Sequence, residues 1–213
     1  AHVTSSTRVT GLSLESNNLD GTLPSSLARL PYLRTLDLEG RQYVSANRVR
    51  GTTPDAICSL SRLEVFNVRF NQMSGTLPSC WSSPALTRID YTFSDLRGTI
   101  PASLCELPAL VTLEMQITGG LTGTIPDCWG GAKQPDLYAF ALEGNQLTGS
   151  LPTSLCSARR LQFLVVYQNS LTGRIPECYG NLVELQYLEL QTNSLSGRIP
   201  IELCALRNLT FLA

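Results

Sequence analysis

An elongated right-handed solenoid of class α/β is the fold this sequence predicts, and three observations carry that reading. Nearly the whole 213-residue chain repeats the pattern L-x-x-L-x-L-x-x-N-x-L-x-G-x-[IL]-P, with its cleanest copies at residues 161–176 and 185–200. The repeats open at Val9, Leu33, Leu63, Leu86, Leu110, Leu137, Leu161, Leu185 and Leu209, so the steps are 24, 30, 23, 24, 27, 24, 24 and 24 residues. A near-constant period of this size marks coils that stack to bury one continuous core. No stretch approaches the roughly 18 apolar residues of a membrane span; apolar runs such as residues 163–167 are single repeats' strands. The chain is therefore expected to be a single domain, residues 1–213, of about eight repeats with eight or nine stacked strands.

Each repeat justifies its own coil. Leucines such as Leu188 and Leu190 alternate, which puts them on one strand face towards the core and turns Tyr187, Glu189 and Gln191 outward. Stacked strands then form a concave parallel sheet. Asparagine at the ninth position (Asn17, Asn71, Asn145, Asn169, Asn193) ends the strand, where a buried amide satisfies backbone groups of the turn. Ser94 and Thr118 interrupt that ladder in mid-chain. The glycine that follows suits a bend, and proline two or three residues later blocks ladder pairing and starts the convex return.

The G-x-[IL]-P half of the motif makes the chain resemble plant-type leucine-rich repeats, those of receptor-kinase ectodomains and polygalacturonase-inhibiting proteins. The resemblance runs from Val9 to the end of the chain over eight successive matches. It implies a second short sheet before the proline, a convex side of 3-10 or helical turns, and recognition of a protein, peptide or glycan outside the cell. Members of that group commonly carry cysteine-paired caps at both ends. Neither cap is visible here, which makes the chain read as a fragment of a longer one.

The cysteines follow a two-repeat rule. Cys58, Cys105, Cys156 and Cys204 stand in Pro-x-x-[IL]-Cys, whereas Cys80, Cys128 and Cys178 stand in Pro-x-Cys-[WY]. Counted from each proline, Trp81, Trp129 and Tyr179 align with Ile57, Leu104, Leu155 and Leu203, so a bulky core position alternates aromatic with aliphatic. Small buried thiols would pack in such a core. Disulfides between adjacent coils are the sharper reading, since strands about 4.8 Å apart meet the Cα separation of about 4.4–6.8 Å that a bridge needs. Two registers fit. Ser26 and Ala28 occupy both cysteine positions of the first repeat, which favours Cys58–Cys80, Cys105–Cys128 and Cys156–Cys178 over the register that would strand Cys58. Seven cysteines in a regular pattern, with a glycosylation sequon at Asn208, point to an extracellular or cell-surface home.

The formal net charge of −1 gives no reason to expect nucleic acid as partner. His2 is the only histidine and no cysteine has a second ligand at metal spacing, so neither a metal nor a cofactor is expected. Asp37 and Glu39 share an open face that excludes no water, and catalysis is not expected.

Recognition on the concave wall is the functional expectation. Phe70, Phe93 and Ile117 recur at one outward position on three successive repeats, and Phe163, Tyr167 and Tyr187 form a second group with Val165 and Phe211. Grouped exposed aromatics mark interfaces, with Arg69, Arg88, Asp90 and Glu114 supplying polar specificity. The competing readings are a satellite core under the sheet edge, or a loop covering these residues. Two insertions break the period. Residues 41–46, flanked by Arg48 and Arg50, would overhang the concave wall; residues 130–135 lie on the convex return as a tolerated loop. The alternative functions are self-assembly into a filament or coat through uncapped ends, and ice binding by the column Thr22, Thr52, Thr76, Thr99, Thr124 and Ser150, which Arg174 and Arg198 interrupt.

Overall fold

A computed structural model describes residues 8–40 and 47–213. Nine short strands form one parallel sheet in sequence order: Gly11–Ser13, Thr35–Asp37, Val65–Asn67, Arg88–Asp90, Thr112–Glu114, Ala139–Ala141, Phe163–Val165, Tyr187–Glu189 and Phe211–Leu212. Every neighbouring pair is in register from coil to coil, for example Leu164 opposite Leu188 and Leu212. A period of about 24 with alternating leucines has this consequence: the same motif position recurs one strand further along and buries the same face.

A second parallel sheet runs alongside. Its strands are Asp20–Thr22, Arg48–Gly51, Gln72–Thr76, Asp95–Gly98, Gly120–Thr124 and Gln146–Thr148, with the pair Thr172–Gly173 and Ser194–Leu195 continuing it through a bridge from Ser150 to Thr172. Proline then turns the chain onto the convex side. Pro24, Pro54, Pro101, Pro152, Pro176 and Pro200 each immediately precede a 3-10 helix, the first being Ser25–Arg29 and the last Ile201–Ala205. The convex side carries 3-10 turns and no α-helix among the described residues. The coils opening at Leu63 and Leu110 return without a helix, and these carry Trp81 and Trp129.

The core holds the alternating column: Ile57, Trp81, Leu104, Trp129, Leu155, Tyr179 and Leu203 are all buried. Trp81 meets Phe66 edge to face at 5.4 Å, and Trp129 meets Phe140 in the same way at 4.9 Å. These geometries favour aromatic pairs beyond the area they bury. Tyr179, being amphipathic, donates its hydroxyl to the Pro152 carbonyl at 3.1 Å. Disulfides Cys58–Cys80, Cys105–Cys128 and Cys156–Cys178 join successive coils, with Cα separations of 5.6, 5.7 and 5.4 Å. Cys204 is free and exposed.

The asparagine ladder extends further than the motif spacing shows. Asn47 is one of its members: its amide donates to the carbonyls of Leu14 at 2.8 Å and Leu38 at 2.9 Å, and its oxygen accepts from the backbone of Asn17 and Leu19. The extra residues of that repeat displace the asparagine from the ninth position, so a strict count passes over it. Where the ladder breaks, Thr118 hydrogen-bonds the Asn145 side chain at 2.5 Å, and the buried Ser94 hydroxyl has no partner.

Of the two insertions, one can be compared with expectation. The proposed overhang at 41–46 lies outside the described residues. Arg48 and Arg50 belong to the second sheet, where both reach Asp20, at 3.7 and 2.9 Å. The loop at 130–135 is anchored rather than merely tolerated. Gln134 is fully buried, donating to the Leu104 carbonyl at 3.0 Å and accepting from Gly130 at 3.2 Å.

Candidate functional site

The concave wall presents four outward columns, and each has its own chemistry. At the first strand position aromatics accumulate towards the C-terminal end. Phe163 stacks on Tyr187 at 5.0 Å, Tyr138 packs against Phe163 at 5.3 Å, and Phe211 lies 6.2 Å beyond Tyr187. Parallel register at one position per coil builds this ladder directly. Tyr167 stands apart from it, two columns away beside Glu143 and Glu189. Val165, grouped with these aromatics from the sequence, is buried. Its short side chain sits below the longer ones around it.

A charged network centres on the middle column and draws in its neighbours on both sides. Arg88 donates to Asp90 at 2.8 Å and to Glu114 at 3.1 Å. Arg69 lies 3.9 Å from both Asp90 and Glu39, and Glu39 accepts from the Asn67 amide at 3.2 Å. Asp90 is 0% exposed, which corrects its assignment as a surface specificity residue. Its carboxylate accepts from the Thr92 backbone at 2.9 Å and fixes both arginines, so Asp90 positions the wall rather than meeting a ligand. Burial, and next the neighbouring Asp90, push the Glu114 carboxyl up to about 7, although Arg88 and Arg69 oppose them.

The fourth column sits where each strand turns away. Phe70, Phe93 and Ile117 have φ of 53°, 56° and 52°, left-handed backbone that bulky and β-branched residues rarely adopt. Gly144 occupies the same position on the next coil with φ of 67°. Ser16, Gln168 and Thr192 share this geometry on other coils, yet three coils place large apolar groups there at a cost of order 1 kcal/mol each. Phe70 and Phe93 stack at 4.7 Å, Arg69 lies over the Phe70 ring at 4.7 Å, and Ile117 is exposed. The result is a three-rung apolar ridge along the rim of the charged network.

Sequence reasoning passed over Glu143. It is 6% exposed, and its Oε2 has no hydrogen-bond partner among the described residues. Burial pushes its carboxyl up to about 7, against the backbone N–H of Glu143 and the Gln116 side chain, which lower it, and with Glu189 and Glu114 adding to the shift. Its place in the outward column was visible; its burial depends on side chains from coils on either side.

Among the described residues no group of histidine, cysteine and acidic side chains is arranged for a metal. The threonine column has a packing role: a Cβ added at Gly75, Gly98, Gly123 or Gly149 would lie 2.6–3.1 Å from the Cγ2 methyl of the preceding coil's threonine. Asn208 is exposed, its amide donating to the Val183 carbonyl at 2.9 Å.

Known proteins share this architecture. The Leucine Rich Repeat family signature matches residues 8–30 and 184–206. Receptor-like protein 53 of Arabidopsis thaliana is 33% identical over 124 residues, covering 58% of this chain and 13% of that protein. The chain thus spans only a small part of the curated relatives it matches. Among solved structures, the plant peptide hormone receptor RGFR1 in complex with RGF2 superposes with a TM-score of 0.88 at 32% identity, covering 94% of this chain and 31% of that one. A TDR receptor gives 0.86 at 32% identity, over 96% of this chain and 34% of that one. The chain is a leucine-rich-repeat solenoid, similar in sequence and fold to parts of plant receptor ectodomains.

Proposed function

We propose that this chain is a non-catalytic extracellular recognition module that binds a protein, peptide or glycan ligand on its concave wall. A peptide is the ligand class with most support. RGFR1 is solved with the peptide RGF2 and HAESA with an IDA peptide hormone, and the three disulfides suit an oxidising compartment. The observation that carries the reading is the ridge of Phe70, Phe93 and Ile117. Large apolar side chains stand on left-handed backbone beside Arg69 and Arg88, half-buried at Phe70 and Phe93 and exposed at Ile117, and apolar anchors with charged neighbours are what a partner buries.

The strained backbone makes the test clean. Replacing Ile117 by glycine removes an anchor and suits the turn, as Gly144 does, so stability should hold or rise; Phe93→Gly relieves the same backbone but gives up the stack on Phe70, so its stability should change little. Peptides selected from a random library on the immobilised chain should bind Phe93→Gly about tenfold more weakly, the loss of roughly 1.4 kcal/mol expected of an interface anchor. Unchanged affinity across Phe70→Gly, Phe93→Gly and Ile117→Gly would overturn the concave-wall reading.

A further inference from the structure

Glu143, Tyr167 and Gln191 follow one another in a single outward column on three successive coils, and two of the three are unsatisfied acceptors. Glu143 Oε2 and Gln191 Oε1 are both shielded from water, and among the described residues neither has a hydrogen-bond partner. Leaving a buried carboxylate oxygen unpaired is costly, and native structures seldom keep one without a use for it. Glu189, whose carboxylate accepts from the Gln191 amide at 3.3 Å, borders the same stretch. Among the described residues neither Glu143 nor Glu189 forms a salt bridge, whereas Glu39 and Glu114 on the same wall both have arginine partners. In the neighbouring column lie the short, buried Ala141 and Val165, so an aliphatic stem can lie there without displacing polar groups.

We infer that the wall around Glu143, Tyr167 and Glu189 receives a basic side chain of the ligand, a guanidinium or ammonium whose donors pair with Glu143 and whose stem lies over Ala141 and Val165. The assignment rests on the recognition role proposed above and names the chemistry that one part of that surface selects. A cation suits every feature present. It supplies the missing donors, it balances the uncompensated carboxylates, and the Tyr167 ring offers an aromatic face to a positive charge. Glu143 is just below the surface, which calls for a long side chain ending in donors, as in arginine or lysine.

The surroundings also set a pH signature. The groups facing Glu143 are Glu114 and Gln116 from the preceding coil, Tyr167 from the following one and Glu189 beyond it; Arg88 and Arg69 act on Glu114. With its carboxyl held at about 7, Glu143 is partly protonated in neutral solution. A bound cation favours the ionised form, so affinity is full above that value and falls as pH drops through it.

N-acetyl-argininamide and its uncharged isostere N-acetyl-citrullinamide, titrated into the 213-residue chain and followed by NMR, test this. At about pH 7.5 the arginine compound should bind roughly fivefold tighter, the scale of one partly screened ion pair, and perturb resonances of Ala141, Val165 and Tyr167. The preference should shrink at about pH 5.5 and vanish in Glu143→Gln, which keeps the side chain's shape. Equal binding of the two compounds, or a preference that survives Glu143→Gln, overturns the inference. Library-selected peptides separate this failure from that of the broader reading. A selected set that depends on Phe93, yet has no enriched basic position and ignores Glu143→Gln, defeats only the cation site. A set insensitive to Phe70→Gly, Phe93→Gly, Ile117→Gly and Glu143→Gln alike, or no set at all, defeats the concave-wall reading and this inference with it.

Discussion

Replacing Arg88 by methionine is expected to cost about 3 kcal/mol at neutral pH, the lower end for breaking a buried ion pair. Removing one partner leaves the other's charge desolvated. Asp90 is fully buried, and among the described residues Arg88 is its only cation within hydrogen-bond distance, at 2.8 Å. Arg69, 3.9 Å away, would compensate in part, and the Thr92 backbone bond to the same carboxylate would remain. Arg88 also opposes the upward shift of Glu114, so its loss sends that carboxyl higher still. A carboxyl whose folded-state value rises above its unfolded one stabilises the fold in acid and loses that contribution as pH climbs. The Arg88→Met defect should therefore be smaller near pH 5 than near pH 7.5. Adding Asp90→Asn, which keeps an acceptor for Thr92, should restore at least half of the loss. Urea titrations at the two pH values check this. A cost below about 1 kcal/mol would show that the network is no more than a surface ion pair.

Removing one intercoil disulfide is expected to cost about as much. Each closes a loop of 22 or 23 residues, which the chain-entropy model puts at about 3 kcal/mol. The double variant Cys105→Ala/Cys128→Ala should melt roughly 6–12 °C below the parent, at 2–4 °C per kcal/mol for a chain of this length. Because each coil touches only its neighbours, the loss should be local, with earlier opening of the strands Arg88–Asp90 and Thr112–Glu114 and little change at the chain's ends. Cys204→Ala is the control, since that thiol is free and exposed and its removal should leave the melt unchanged. Equal melting of the double variant and the parent would mean that the stacked coils gain nothing from the bridges.

How far the sequence could be read follows from which interactions are periodic. Strand stacking, the second sheet and the proline-led convex turns recur at fixed motif positions, and one repeat is enough to infer the next. Leu188 is buried for the same reason as Leu164 one coil earlier. The wall is different, because period-two alternation says only which side of the sheet a residue leaves from. It does not say that Asp90, one of the shorter side chains in its neighbourhood, is covered by Arg69, Arg88 and Glu114 from three coils, nor that Val165 is covered likewise. Glu143 was passed over for that reason. Its burial is a property of neighbours 20 or more residues away, and its unpaired oxygen appears only in three dimensions. Asn47 shows the converse limit: its chemistry is that of every other ladder asparagine, and the insertion before it hid the register. The left-handed turn at Phe70, Phe93 and Ile117 was equally hidden, since nothing in Phe or Ile announces positive φ.

Hydrogen–deuterium exchange of the chain with and without a library-selected peptide tests the central claim, recognition on the concave wall, most directly. Bound peptide should slow exchange in the segments that leave the concave strands, residues 67–70, 90–93, 114–117 and 141–144, and leave the convex helices Asp55–Ser59 and Thr153–Ser157 unchanged. Protection confined to the convex helices or to the threonine column of the second sheet, with the concave segments exchanging as in the free chain, would contradict it.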